Sequence, residues 1–360
     1  MPGFNWQANR YDWPGHEEEL VRTSKYISTI DSHTAGEGTR LVMSGLPPIP
    51  GGTMAEKMAY AAQHLSWVPG LLLSEPRGHK DLFGAILVPP YSPTADIGVL
   101  FMDNKNYEPM CGHAVIGVVT TLLETGMFEM VEPETFVTLD TPSGPVFANA
   151  LIMDGYVRSV SFENVPSFVY HSDVTLQVPE VGDLVVDVVF GGLFFVLVNA
   201  LDLEIELAPD NAARLADLGM HILAAANEQI PVRHPELSHI DEIIDVRFYV
   251  EPGSNGADSR NVVILGDHMV DRSPCGTGTC AEAALRYARG QLGLGEPFVT
   301  ESIIGTRFTG SVIAETQVGS GLEVFPAVIP KVSGSAYLTG YHQFVLDAED
   351  PFPEGFRLTD

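Results

Sequence analysis

The sequence predicts a mixed α/β (α+β) fold made of two similar domains that face each other, and three observations lead there. The chain has 360 residues, more than one hydrophobic core usually serves, so two domains of roughly 150 residues each are expected. A cysteine, a glycine and then an apolar helix occur twice, in "MCGHAVIGVVTTLLETG" from Met110 and in "SPCGTGTCAEAALRYARG" from Ser273. The strands and helices around these two stretches follow the same order in both halves, which argues against a single Rossmann-type sheet.

The elements read in order as follows. The opening, up to about residue 25, is polar and punctuated by Pro and Gly, as an arm ahead of the fold would be. "KYISTID" alternates as a strand, "SHTAGEG" reads as a loop and "TRLVMSG" as the next strand. "TMAEKMAYAAQHL" has helical spacing, with Thr53 as its cap. "FGAILVPPY" and "ADIGVLFMD" are strands, and "CGHAVIGVVTTLLETG" is a buried helix stopping at Gly126. The second round has strands at "VRSVSFENV" and "DLVVDVVFGGLFFVLVNA" and a helix over "DNAARLADLGMHILAAAN". It continues with strands at "IDVRFYVE" and "RNVVILG" and ends in the second Cys-Gly helix.

Composition limits the function. The formal charge of −28 arises from 47 acidic against 19 basic residues, a surface that repels phosphate backbones and anionic membranes. Nucleic-acid and membrane partners are therefore not expected. The acidic, lysine-poor balance also suits a high-salt cytoplasm. No apolar run reaches the ~20 residues of a membrane span, and "MPGFNWQANRYDWPGHEEEL" lacks the regions of a secretory signal, so a cytoplasmic protein is predicted. Three cysteines, an odd number, make no disulfide framework and stay free for chemistry in a reducing compartment.

Cys111 and Cys275 each precede a glycine at a predicted helix start, where unpaired N–H groups and the helix dipole favour negative charge. That setting is expected to lower a thiol pKa and to make each thiolate a plausible base or nucleophile. The glycines let an anion approach the amides closely, so two such ends facing each other would hold one carboxylate. A single Cys before Gly is more often a packed residue than a catalyst, and two matched cases change that balance. Cys280 has no partner motif and reads as core packing. Cys111 and His113 lack the spacer of a metal-ligand pair, and no second pair accompanies them, so no metal is expected.

With these residues in view, "MCGH" before an apolar helix together with "DRSPCGTGT" resembles the proline racemase family, which includes hydroxyproline 2-epimerases and trans-3-hydroxyproline dehydratases. "IDSHTAGEGTR", "SEPRGHKDLFGA", "VFGGLFF", "MVDRSPC", "ESIIGTRFTG" and "FVLDAEDPF" extend the resemblance over about residues 26 to 360. It implies two pseudo-symmetric domains of the diaminopimelate epimerase-like type, closing over a small-molecule substrate without any cofactor. Residues 1–25 would be an N-terminal extension. Residues 26–150 plus 335–360 would form the first domain, carrying Cys111, and 151–334 the second, carrying Cys275. A homodimer is left open.

The resemblance also implies roles. One thiolate would remove the Cα proton while the opposite thiol delivers another, with Cys111 and Cys275 exchanging roles by direction. Gly112 and His113 on one side, and Gly276 and Thr277 on the other, would offer amides to the substrate carboxylate. Asp271 would bind the substrate ammonium. His239 resembles a pocket-lining histidine, and Phe101 and Leu265 align with positions that wall the ring. A cysteine at position 275, where dehydratases commonly have threonine, favours racemisation or epimerisation of proline or 4-hydroxyproline. Leu265 stands where a phenylalanine is expected in proline racemases, Leu193 stands where Asn is frequent, and "HTAGEG" lacks the usual proline after the glutamate.

A ring hydroxyl would need a polar partner, with His113, His239 and Ser32 the candidates. Three other readings remain: a 3-hydroxyproline dehydratase using Cys111 alone, a non-catalytic amino-acid-binding member, and a thiol hydrolase pairing Cys111 with His113. The last is disfavoured because residues two apart at a helix start point in different directions.

Overall fold

The computed structural model describes residues 23–321 and 323–358. Residues 1–22 of the expected arm lie outside the described residues, and Thr23–Lys25 already belong to the first strand. The first half runs β1 (Thr23–Thr34), β2 (Glu37–Ser44), α1 (Met54–His64), α2 (Trp67–Leu73), β3 (Phe83–Val88), β4 (Ile97–Met102), β5 (Tyr107–Glu108) and α3 (Gly112–Glu124). It ends with β6 (Glu134–Thr141), β7 (Gly144–Met153) and β8 (Tyr156–Glu163). The second half runs β9 (Ser167–Val178), β10 (Gly182–Phe190), β11 (Phe194–Asn199), α4 (Ala212–Gln229), β12 (Ile243–Val250), β13 (Ser259–Leu265), β14 (Met269–Val270) and α5 (Gly276–Ala288). Four strands close the chain: β15 (Pro297–Glu301), β16 (Arg307–Ser320), β17 (Glu323–Gly334) and β18 (Ala336–Asp347).

The strand pairings repeat. In the first half β1–β2 are antiparallel, β2–β3 parallel, β3–β4 and β4–β5 antiparallel, β4–β6 parallel, and β6–β7 and β7–β8 antiparallel. The same series runs through β10–β11, β11–β12, β12–β13, β13–β14, β13–β15, β15–β16 and β16–β17. The outer positions are filled crosswise. The last strand, β18, returns to pair with β1, while β9 pairs with β10, and β17 also pairs with β8.

Helix chemistry follows from burial. Every residue of α3 from Gly112 to Leu123 is buried, and a helix apolar all round belongs inside a core. It packs on β1, β2, β3, β7, β8 and β18, as α5 packs on β9, β10, β16 and β17. By contrast α4 buries one stripe, Leu215, Gly219, Ile222, Leu223 and Ala226, against β12 and β13. Thr53 caps α1 by accepting from the Glu56 N–H at 3.1 Å, as its sequence predicts.

One stretch differs from expectation, and one element was not anticipated. "SHTAGEG" is strand on both sides of a two-residue turn, with Ala35 at φ 53° and Gly36 at φ 101°, the left-handed conformations a tight hairpin needs. "WVPGLLL" is the helix α2 despite its Pro-Gly. Pro69 falls in the first turn, where the missing N–H has no intrahelical acceptor to lose.

Candidate active site

The two Cys-Gly helix ends abut. A Cβ built on Gly112 would lie 2.6 Å from the Gly276 Cα and 2.8 Å from the Thr277 amide nitrogen, and one on Gly276 would lie 2.6 Å from the Gly112 Cα. Only two hydrogens in place of side chains let the backbones meet this closely. Cys111 and Cys275 are the N-cap residues of α3 and α5, and both are buried. Their conformations differ. Cys111 is extended, at φ −146° and ψ 105°, whereas Cys275 sits at φ 60° and ψ 115°, a strained region for a residue with a Cβ. The turn before Cys275 is pinned from its own side chains: the Asp271 Oδ1 accepts from the Ser273 N–H at 2.7 Å, and the Ser273 Oγ accepts from the Cys275 N–H at 3.1 Å.

Both thiols depart from the expected lowering. Burial is the largest influence on Cys111 and pushes its thiol well above the usual range. The Ala114 backbone N–H pulls it down, while Asp271, Cys275 and Glu108 add to the rise. Burial likewise dominates at Cys275, with Asp271 and Asp245 raising it further and Arg247 and a hydrogen bond with Thr277 opposing. The helix ends contribute, as the Gly278 N–H donating to the Cys275 Sγ at 3.3 Å shows. Desolvation by the abutting ends outweighs them.

The predicted divergence of Cys111 and His113 is also corrected. The His113 Nδ1 lies 3.4 Å from the Cys111 Sγ, because an N-cap residue stands outside the helix and its extended backbone folds the side chain over the first turn. The ring is buried edge-on against Phe83 and burial takes its pKa to about 3, so it stays neutral beside the thiol.

Of the other anticipated residues, Phe101 and Cys111 share one apolar cluster with Met269, and Leu265 packs against both that cluster and the one holding Cys275 and Leu193. Asp271 and Thr277 are buried beside Cys275, with the Thr277 Oγ1 3.6 Å from its sulfur. His239 is exposed, with its Nε2 3.1 Å from the Pro142 carbonyl. Ser32 faces the middle of α3, its Oγ 3.0 Å from where a Cβ on Gly117 would be. Cys280 is fully buried in the core. A cavity of about 1020 Å³ lies elsewhere, lined by Phe168, Tyr287 and Arg289, and touches neither cysteine. Among the described residues no group of three His, Cys, Asp or Glu is placed to hold a metal ion.

Three residues beyond those anticipated join the site. Asp245 pairs in register with Leu265, is 2% exposed, and has no hydrogen-bonding partner for its carboxylate among the described residues. Glu108 pairs in register with Phe101. Arg247, two residues beyond Asp245, is fully buried. The signal was present in "IDVRFYVE": two charges at i and i+2 in an apolar strand occupy one face, opposite Val246 and Phe248, which join the α4 core.

These carboxyls carry a stability prediction. Burial, outweighing the Ser273 hydrogen bonds, lifts Asp271 from an ordinary 3.8 to about 6, and burial with Asp103 and Glu242 lifts Glu108 from 4.5 to about 8. Groups whose folded pKa is raised stabilise the fold below their ordinary pKa, and that contribution is lost as pH rises through the folded value, on the order of 3 kcal/mol for Asp271. The ligand-free protein is expected to melt at progressively lower temperature from pH 4 to pH 8. Asp271→Asn should make the part between 4 and 6 shallower, leaving the fall due to Glu108. Calorimetry at three pH values checks this, and a melting temperature that holds or rises over the range contradicts it.

The proline racemase family model matches residues 29–357. The chain belongs to the proline racemase family. It is 45% identical over 338 residues to the proline racemase of Clostridioides difficile, covering 94% of this chain and all of that one. It is 41% identical over 338 residues to the trans-3-hydroxy-L-proline dehydratase of Bacillus cereus, again covering 94% of this chain and all of the relative. The crystal structure of a hydroxyproline epimerase from Agrobacterium vitis, with bound trans-4-hydroxy-L-proline, superposes with a TM-score of 0.87 at 35% identity, over 94% of this chain and 97% of that one. The fold is therefore the two-part, diaminopimelate epimerase-like architecture its internal repeat displays.

Proposed function

We propose that this family member is a cofactor-independent isomerase that inverts the α-carbon of a hydroxyproline, with proline the poorer substrate, using Cys111 and Cys275 as the two proton-transfer groups. The observation that supports the reading is the abutment of the two helix ends, each N-capped by one of the cysteines and each offering first-turn amides to an anion. One thiolate takes the Cα–H, the electron pair spreads into the substrate carboxylate held by the amides around Gly112 and Gly276, and the opposite S–H returns a proton. Asp271 is the counter-charge for the substrate ammonium, and that cation also offsets the carboxylates that add to the rise burial imposes on both thiols.

The preference for a hydroxylated ring rests on Asp245. Its carboxyl shares a strand face with Leu265 and lacks a partner, and a ring O–H would supply one, whereas proline leaves it orphaned. A second reading has its own observation: Glu108, at about 8, is protonated at neutral pH close to Cys111. In that reading Cys111 removes the Cα–H, the C3–O bond breaks as Glu108 protonates the departing hydroxyl, and water and a pyrroline result.

Proton NMR in D2O, with reduced enzyme and L-proline, trans-4-hydroxy-L-proline or trans-3-hydroxy-L-proline in separate tubes, tests both. Loss of the Cα signal with a new diastereomer, fastest for 4-hydroxyproline, is expected. Asp245→Asn should cut the hydroxyproline-over-proline preference about tenfold. Pyrroline formation from the 3-hydroxy isomer selects the second reading, and no exchange in any tube defeats both.

A further inference from the structure

We infer that Arg247 is a positioning residue that makes Cys275, rather than Cys111, the thiol that ionises first in the substrate-free enzyme. This rests on the two-thiol reading above. The Arg247 Nη1 donates to the Pro274 carbonyl at 3.0 Å, one residue before the cysteine. The same nitrogen lies 2.9 Å from where a Cβ on Gly278 would sit, and the Gly278 N–H is the group that donates to the Cys275 Sγ. The guanidinium therefore underpins the helix end that holds this sulfur. Its Nη2 binds Glu282 and, at 3.1 Å, the Thr300 Oγ1. Glu282 also accepts from the Arg286 Nε at 2.8 Å.

The internal repeat supplies a control. Phe101 pairs with Ala85 and Leu265 pairs with Asp245, so Arg247 corresponds to Leu87. Counting from each N-cap cysteine, Glu282 corresponds to Val118. The first half has an apolar pair where the second has a buried ion pair. The charged and titratable groups that influence Cys275 are Asp271 from its own loop and Asp245 and Arg247 from β12, with Cys111 facing it from α3. The charged and titratable groups acting most strongly on Cys111 are Asp271, Cys275 and Glu108, none of them a cation. Arg247 itself pairs with Glu282 and acts electrostatically on Cys275 and Cys280. In so dry a setting the Arg247 cation acts on Cys275 in spite of its pairing with Glu282.

Kinetics cannot assign the charge, because the two thiols titrate as a pair and both directions of reaction share its apparent pKa values. The test is a short iodoacetamide pulse on the reduced, substrate-free protein from pH 6 to 10, with the extent of alkylation at Cys111 and Cys275 read by peptide mass spectrometry. Cys275 is expected to react at lower pH than Cys111. Glu282→Gln, which frees the Arg247 charge, should move the Cys275 curve down by about one pH unit. Arg247→Leu combined with Glu282→Val, the pair the first half carries, should erase the Cys275 advantage.

A merely structural role moves both variants in the same direction, and if the double variant fails to fold, the direction of the Glu282→Gln shift decides alone. Cys111 reacting first in the unaltered protein, or an unmoved Cys275 curve in the folded double variant or in Glu282→Gln, overturns the inference. If alkylation follows the expected order while Cys275→Ser still isomerises substrate, the two-thiol reading fails and the role of Arg247 in placing the charge stands.

Discussion

Serine at position 111 or 275 is expected to lower the rate of α-carbon inversion by at least a thousandfold, with the fold unchanged. The substitution exchanges one atom in a buried side chain, so packing is barely touched, and serine accepts the strained backbone of Cys275 no less readily than cysteine. What changes is acidity. An alcohol in a pocket that already holds its thiols well above their usual range has no accessible anion, and positioned proton transfer accounts for roughly 10²–10⁴ of rate per group. Proton NMR in D2O with circular dichroism as the folding control measures both effects. Inversion within tenfold of the unaltered enzyme in either variant would sink the two-thiol mechanism. Loss in Cys111→Ser with pyrroline formation retained in Cys275→Ser would transfer the protein to the dehydratase reading.

The same residues show how far local sequence carries an argument. Cys-Gly before an apolar run marks an N-terminus through chemistry confined to one turn, and both α3 and α5 begin where those letters place them. The sign of the thiol pKa was read from that same local chemistry and came out reversed. The helix end that Cys111 caps meets Gly276 and Thr277, which are remote in the chain, and Asp245 acts on Cys275 from β12. Asp245 and Arg247 were visible as charges in a strand of otherwise apolar character, but only the register with Leu265 turns them toward the helix end. The hairpin through Ala35 and Gly36 escaped for the opposite reason. Polar letters that favour a loop were overruled by pairing of β1 with both β2 and β18.

Alanine at Gly112 or at Gly276 is expected to cost more than a hundredfold in activity and 1–3 kcal/mol or more in stability. Both glycines lie in the first turn of their helices with ordinary helical backbone, so alanine is conformationally acceptable at each and the effect is purely one of space. The space is absent. The new methyl would stand 2.6 Å from the Cα of the opposing glycine, with the Gly276 carbonyl carbon and the Thr277 nitrogen at 2.8 Å behind it on one side. These are backbone atoms at the start of buried helices and have no rotamer by which to withdraw. The two ends must part, and the amides meant to share one carboxylate then diverge while the thiols are carried away from opposite faces of the α-carbon. A misplacement of about 1 Å is enough for a hundredfold loss. Gly266→Ala, where a Cβ would meet nothing within 4 Å, is the neutral control. Thermal melts and the D2O exchange assay on all three variants settle the matter: Gly112→Ala or Gly276→Ala within twofold of the unaltered enzyme would show that the helix ends need not touch, and the shared-carboxylate site would lose its geometric basis.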